Sequence, residues 1–178
     1  MVRFRFGRVT VLGCVMSRID FVTGAPERYI GDVSRLAAIP NRLHDVLAGH
    51  TTIELQDSPG DEDWTPVRVL AHLLSYACHT GEFIHRIVWM QEPTLVPWDE
   101  VEEVEREGWV RLDGGRLLTL LSAAIERTVA LLSETPDAAW GRPGIHLIGG
   151  RRSLRQQVRQ HIRHLESHIE QIEQALTE

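Results

Sequence analysis

Three histidines near the end of the chain have a spacing that suits a metal ion. His161, His164 and His168 fall in the stretch "QHIRHLESHIEQI". At about 100° per residue of helix, they share an arc of roughly 60° beside an apolar stripe. His164 and His168 are one turn apart, so both imidazoles can reach one ion at ~2.0–2.1 Å. The same spacing also fits a polar helix edge that is solvated or hydrogen-bonded, and spacing alone leaves both interpretations open.

A third imidazole comes from an earlier segment of the chain. His72 lies at the edge of another apolar stripe, near Tyr76 and Phe83. Three histidines leave a tetrahedral cation one open position, which is the arrangement of a catalytic site rather than a structural one. Such a cation could lower the pKa of bound water towards ~7, or activate a thiol or carbonyl group. His72, His164 and His168 are therefore the predicted ligands of a divalent metal.

Four helical segments must position these side chains. Apolar residues recur with a period near 3.6 over about residues 26–48, 65–88 and 115–133, and from residue 153 almost to the end. Thr65 and Pro66 are a strong start signal for the second segment. Pro40 is expected to kink or split the first segment. The pattern predicts an all-α protein with a four-helix bundle.

The connection between the second and third helices sets the predicted topology. Its sequence, "QEPTLVPWDEVEEVEREGWVRLDG", is far longer than a helical hairpin needs. It can cross the whole bundle, so that these two helices run parallel and the order becomes up-down-down-up. His72 lies in the first two turns of helix two, whereas His164 and His168 lie in the second half of helix four. These histidines are level only if the two helices are antiparallel, and the up-down-down-up order makes them so. The acidic part, "DEVEEVERE", predicts a short surface helix, and "TPDAAWGRPGIHLIGGRR" predicts a second crossover or a small hairpin.

Composition narrows the range of partners. The chain has 178 residues, a net charge of -6 and no lysine, which disfavours nucleic acid and anionic membranes as partners. No run approaches the ~18 apolar residues of a membrane span. Cys14 and Cys78 form no CxxC pair, which indicates a reducing, cytoplasmic setting. The expected partner is a small molecule.

The N-terminal stretch is expected to lie outside the bundle. Residues 1–24 are predicted to be a strand-like or loose extension, with Met16 as an alternative start, and residues 25–178 to be the bundle domain. The apolar run of "MVRFRFGRVTVLGCVM" is shorter than the roughly 7–15 residues of a signal peptide, and no AxA-like cleavage site follows. Export is therefore not expected.

Two motifs resemble those of a known family. "DWTPVRVLAHL" resembles the Trp-to-His-Leu element that opens the second helix of the DinB/YfiT-like superfamily, and "HLESHIEQI" resembles its closing HxxxHxxQI. "LAAIPNRLHDVLAG" is similar to its first helix, so the resemblance covers the chain from about Leu36 onward. It implies an up-down-down-up bundle, often dimeric, in which His72, His164 and His168 hold a divalent ion.

The resemblance also implies classes of activity. Relatives include metal-dependent S-transferases that use low-molecular-weight thiols such as bacillithiol or mycothiol, and a thiol-dependent maleylpyruvate isomerase. The expectation is a homodimeric Zn, Ni or Mn enzyme, either a low-molecular-weight-thiol S-transferase or a hydrolase. The alternative is a non-catalytic bundle that acts as a dimeric binding or structural protein. Many relatives carry an acidic residue soon after the helix-two histidine, whereas this chain has "LLSYACHTGE", so the resemblance identifies no partner for His72.

Several further residues have weaker predicted roles. His161 is a possible extra ligand or proton shuttle. The arginines at the start of helix four form either a solvated face that pairs with the "DEVEEVERE" acids or an anion clamp for a carboxylate-bearing thiol or substrate, with Arg159 and Arg163 as the candidate anion-binding residues. No role in the site is expected for His44, His50, Cys78, His79, Glu82, His85 and His146.

Overall fold

Four long helices pack side by side in the computed structural model, which describes residues 25–57, 64–147 and 149–177. The predicted N-terminal extension, with Cys14 and Met16, lies outside these ranges. In chain order the elements are α1 (Glu27–Leu47), α2 (Thr52–Gln56), α3 (Pro66–Trp89), α4 (Glu100–Arg106), a 3-10 turn (Trp109–Arg111), α5 (Gly114–Ser133), α6 (Asp137–Trp140), β1 (Pro143–His146), β2 (Gly150–Ser153) and α7 (Leu154–Ala175). The bundle helices are α1, α3, α5 and α7, as the periodicity predicts.

Side-chain caps fix where the bundle helices begin. Thr65 accepts a hydrogen bond from the backbone N–H of Arg68 at 3.3 Å, directly before Pro66 as the first residue of α3. Ser153 and Gln156 form a capping box at the start of α7. Such caps stabilise a helix by typically ~1 kcal/mol each, because they satisfy N–H groups that have no partner within the helix. The predicted start of α3 is confirmed.

The first and last bundle helices run parallel. Arg35 on α1 pairs with Glu166 on α7 at 2.7 Å, and Arg42 pairs with Glu173 at 3.2 Å. The residue numbers rise together along both helices, which is possible only if α1 and α7 point the same way.

The two middle helices also run parallel to each other. Gly114 at the start of α5 lies near Leu70, whereas Gly81 further along α3 lies against Thr128 further along α5. A Cβ on Gly81 would stand 2.7 Å from the Thr128 hydroxyl oxygen, so glycine permits this close approach.

The two parallel pairs point in opposite directions. On α3 and α7, His72 faces His168 and Tyr76 faces His161, so the residue numbers rise along one helix as they fall along the other. This gives the predicted up-down-down-up order.

The long connection between α3 and α5 carries α4, which confirms the predicted short helix. Val104 of α4 is buried, so this helix packs on α3 rather than standing free at the surface. The start of the same connection meets β1, where Ile145 donates to the Pro93 carbonyl and accepts from Leu95 N–H, each at 2.9 Å. Between α5 and α7 the sequence predicts a second crossover or a small hairpin. The antiparallel β1–β2 pair shows that this connection forms a hairpin.

The prediction that Pro40 could split the first helix is wrong. α1 continues through Pro40 from Glu27 to Leu47. Leu36, Ile39 and Leu43 around it are 0–2% exposed. Their burial in the core holds the helix together despite the backbone hydrogen bond that proline removes. None of the helices in the described ranges has the length and apolarity to cross a bilayer.

Candidate metal centre

Three imidazole nitrogens converge between α3 and α7. The Nε2 atom of His72 lies 3.0 Å from Nε2 of His164 and 3.0 Å from Nε2 of His168. One ligand atom of each residue lies within 4.8 Å of the others. Two nitrogens bound to one tetrahedral ion at ~2.0–2.1 Å stand roughly 3.3 Å apart. The three nitrogens therefore have the spacing of a shared ion.

Antiparallel packing of α3 and α7 brings these residues level. Early in α3, His72 faces His168, and one turn later Tyr76 faces His161 and His164. On α7, Leu165 and Ile169 are fully buried and anchor the apolar stripe. His164 and His168 each precede one of these anchors, so their side chains emerge at the edge of the core as the sequence predicts.

In two of the three rings, the second ring nitrogen, Nδ1, contacts an acceptor oxygen. The Nδ1 atom of His72 contacts the Glu100 carboxylate of α4. The Nδ1 atom of His168 lies 2.7 Å from Oε1 of Gln171. A carboxylate or amide oxygen only accepts, so Nδ1 carries the proton in both rings and Nε2 keeps its lone pair.

This arrangement leaves two lone pairs facing each other. Nε2 of His72 and Nε2 of His168 are 3.0 Å apart with no proton between them when both rings are neutral. Burial lowers the pKa of His168, and burial together with the neighbouring imidazoles lowers the pKa of His164 to about 3. An added proton is therefore disfavoured at His164 and His168. A divalent cation suits this donor set, because imidazole nitrogens are common ligands of Zn, Ni and related ions.

Aromatic side chains enclose the cluster. Trp64 meets His72 edge-on at 5.6 Å between ring centroids and lies over His168 at 6.2 Å. Tyr76 stacks on His164 at 3.7 Å. The tryptophan and histidine of "DWTPVRVLAHL" therefore belong to one site. On its α4 side the cluster borders a cavity of about 220 Å³.

His161 lies apart from the three converging nitrogens. Its side chain is fully buried, and within the described ranges neither ring nitrogen has a hydrogen-bond partner. Burial lowers its pKa to about 3. Its ring centroid lies 5.5 Å from that of Tyr76. A role for His161 as an extra ligand or proton shuttle stays a prediction.

The predicted pairing of the α7 arginines with the "DEVEEVERE" acids is wrong. Arg159 and Arg155 face Asp32 of α1, at 3.0 Å and 3.6 Å. Arg151 pairs with Glu92. The reason is topological: the first half of α7 lies along the parallel helix α1, whereas α4 lies on α3. Arg163 bonds to Gln160 at 2.9 Å, and anion binding by Arg159 and Arg163 stays a prediction.

The acids of α4 instead bind side chains of α3. Besides the contact of Glu100 with His72, Glu103 accepts from Ser75 and lies 2.9 Å from Nε2 of His79. His79 also stacks on Trp98 at 4.5 Å. Sequence reasoning missed Glu100 and Gln171 as partners of the ligands. Helical spacing could have identified Gln171, which lies three residues after His168, but Glu100 carries no such signal.

Comparisons with known proteins agree with this fold. A family model described as the DinB superfamily matches residues 35–172. YfiT from Bacillus subtilis, described as a probable metal-dependent hydrolase with an unusual four-helix bundle topology, superposes with a TM-score of 0.76 at 22% identity, over 85% of this chain and 87% of that one. A mycothiol-dependent maleylpyruvate isomerase gives a TM-score of 0.67 at 17% identity, over 80% of this chain but 59% of its own length. No curated protein matches the chain by sequence.

Proposed function

The chain belongs to the DinB superfamily, and from that premise we propose that it is a divalent-metal-dependent enzyme that acts on a small molecule. One observation carries the proposal: Nε2 of His72 lies 3.0 Å from Nε2 of both His164 and His168, which is the spacing of donors around one shared ion. The reaction class is transfer by a low-molecular-weight thiol, or hydrolysis. Support for these classes comes from the descriptions of YfiT as a probable metal-dependent hydrolase and of the isomerase as mycothiol-dependent.

Each residue of the site has a distinct task in this proposal. His72, His164 and His168 hold the ion through Nε2, and Zn, Ni and Mn are the candidate metals. An ion held by these three residues would supply a Lewis acid able to activate water or a thiol. Glu100 and Gln171 keep two of the rings in the tautomer that binds metal.

The surroundings of the cluster support activation of a nucleophile. Tyr76 stacks on His164, and Trp64 lies near His168, so aromatic surface borders two of the imidazoles. The Glu100 carboxylate accepts the proton at Nδ1 of His72 and so fixes the orientation of that ring, with Nε2 towards His164 and His168. We further propose that the protein works in the cytoplasm as a homodimer, a state that sedimentation velocity would test directly.

Elemental analysis of untagged protein, purified without chelator, tests the proposal. We expect about one equivalent of a divalent metal in the native chain. His72→Ala and His164→Ala should lose it, because two imidazoles hold an ion far more weakly than three. His85→Ala is the matched control, since His85 is exposed on the same helix away from the cluster and should retain the metal.

Two results would reverse the interpretation. If the native protein stays metal-free after incubation with Zn, Ni and Mn, the proposal of a metal site is wrong. Equal loss of metal in all three variants would show that histidine substitution destabilises α3 or α7, rather than removing a ligand.

A further inference from the structure

A cavity adjoins the histidine cluster on its α4 side, next to His72. Its volume is about 220 Å³, and its walls come from α4 and from the segment that begins α3. His72 belongs both to this cavity and to the cluster. The cavity is smaller than the roughly 300–1,000 Å³ of typical ligand pockets. It therefore has room for a small organic molecule beside His72.

Arg68 provides a cation in this cavity. It lies four residues before His72, and four residues are about one helical turn, so both side chains emerge on the same face of α3. Its side chain is half-buried, and no ion pair or hydrogen bond engages its guanidinium within residues 25–57, 64–147 and 149–177. Arg155 and Arg159, by contrast, both face Asp32. A guanidinium has five donors in a planar fork that matches a carboxylate.

The charges around the cavity favour an anion once the metal is bound. Glu100 and Glu105 also line it. Glu100 is engaged with Nδ1 of His72, and Glu105 is exposed, so water screens its charge. A divalent ion and Arg68 together exceed the two carboxylates in charge. Trp64, Val101 and Val104 complete the wall with apolar surface.

We propose that Arg68 binds a carboxylate on the substrate or thiol, and that the apolar part of the same molecule lies between Trp64 and α4. The inference rests on the proposed function and adds a substrate class to it, namely small carboxylates with an apolar body. A planar, singly charged carboxylate suits this site better than a phosphate, because one guanidinium provides one bidentate contact.

The test uses the full chain loaded with cobalt(II), whose absorption reports both metal binding and thiol binding. The probes are 3-mercaptopropionate and its neutral counterpart 3-mercapto-1-propanol. In Arg68→Gln we expect the dissociation constant for 3-mercaptopropionate to rise about tenfold or more, while that for 3-mercapto-1-propanol stays within about twofold. Arg127→Gln is the matched control, because Arg127 is an exposed arginine of α5 that lies outside this cavity.

The outcomes separate the two proposals. A wild type that binds no cobalt overturns the proposed function and this inference with it. Cobalt binding with equal affinity for the two thiols, with no affinity for either, or with the same change for both in Arg68→Gln overturns this inference alone. Arg68→Met serves as a second variant. For both variants, a thiol-free cobalt spectrum identical to that of the wild type shows that the metal site is intact.

Discussion

At the scale of single residues, the tautomers of the histidines decide what the cluster can bind. Nδ1 of His72 and Nδ1 of His168 both face acceptor oxygens, from Glu100 and Gln171. Both Nε2 atoms must therefore be lone-pair donors, and they point at the same place. On a solvated helix edge, the other interpretation of the spacing, water would bond to these rings and would favour neither tautomer.

His161 offers a prediction at the same scale. Its ring is buried, with no hydrogen bond to either nitrogen from the described residues. Replacing an unsatisfied buried polar group with an apolar group of similar volume removes a desolvation cost of ~1–3 kcal/mol. We expect His161→Leu to raise the free energy of unfolding by about 1 kcal/mol in urea titrations with chelator present.

The matched variant is His161→Gln, which keeps polar atoms at the same place and should not be stabilising. His161→Leu should also retain the metal of the native protein. If the variant lost that metal, His161 would be a ligand or would support one. The conclusion that His161 lies apart from the three converging nitrogens would then be wrong.

At the scale of elements, α4 links the connection between α3 and α5 to the metal site. Glu100 contacts His72 and Glu103 contacts Ser75 and His79, so one short helix binds three side chains of α3. The burial of Val104 fixes its orientation. The connection therefore lets α5 run parallel to α3 and also orients the ring of His72.

Glu100→Gln tests this role of α4. An amide still fills the space but is a weaker acceptor than a carboxylate for the Nδ1 proton of His72. Loss of such a partner typically weakens metal affinity 10–100-fold. We expect a fall of about tenfold in zinc affinity, measured by competition with a chromogenic chelator. Glu102→Gln, on the exposed face of the same helix, is the control and should leave affinity unchanged. Equal effects of the two variants would mean that α4 acts only through its overall charge.

Elements also show where sequence reasoning succeeds and where it stops. The Thr65 cap and the stripe beside His164 and His168 are local patterns with spacings of one to four residues, so they could be predicted. Glu100 lies 28 residues from His72, and only the path of the connection brings the two together. The ion pair of Arg159 with Asp32 likewise requires α1 and α7 to be neighbours. Apolar periodicity predicts each helix but does not determine which helices pack against each other.

At the scale of the whole molecule, buried neutral histidines make stability depend on pH. The pKa of His161 is about 3 in the folded protein and ~6.5 when exposed. Between these values the unfolded chain binds a proton that the folded chain excludes, so stability falls as the pH falls from about 6.5. The slope from this one group is at most about 1.4 kcal/mol per pH unit, and His164 adds to it in the same direction.

Urea titrations of metal-free protein at pH 7 and pH 5 would measure this dependence. The wild type should lose stability over that interval, and His161→Leu should lose about 1–2 kcal/mol less. An identical loss in both proteins would show that His161 is protonated in the folded state or gains a partner there.

The wide separation of the ligands along the chain has a consequence for how the protein is made. His72 lies 92 residues before His164 and 96 before His168. During synthesis the first ligand leaves the ribosome long before the other two, and the growing chain has no complete set until α7 has emerged and packed against α3. On the proposed function, metal loading must therefore follow assembly of the bundle, and any chain that stops short of α7 lacks two of the three proposed ligands.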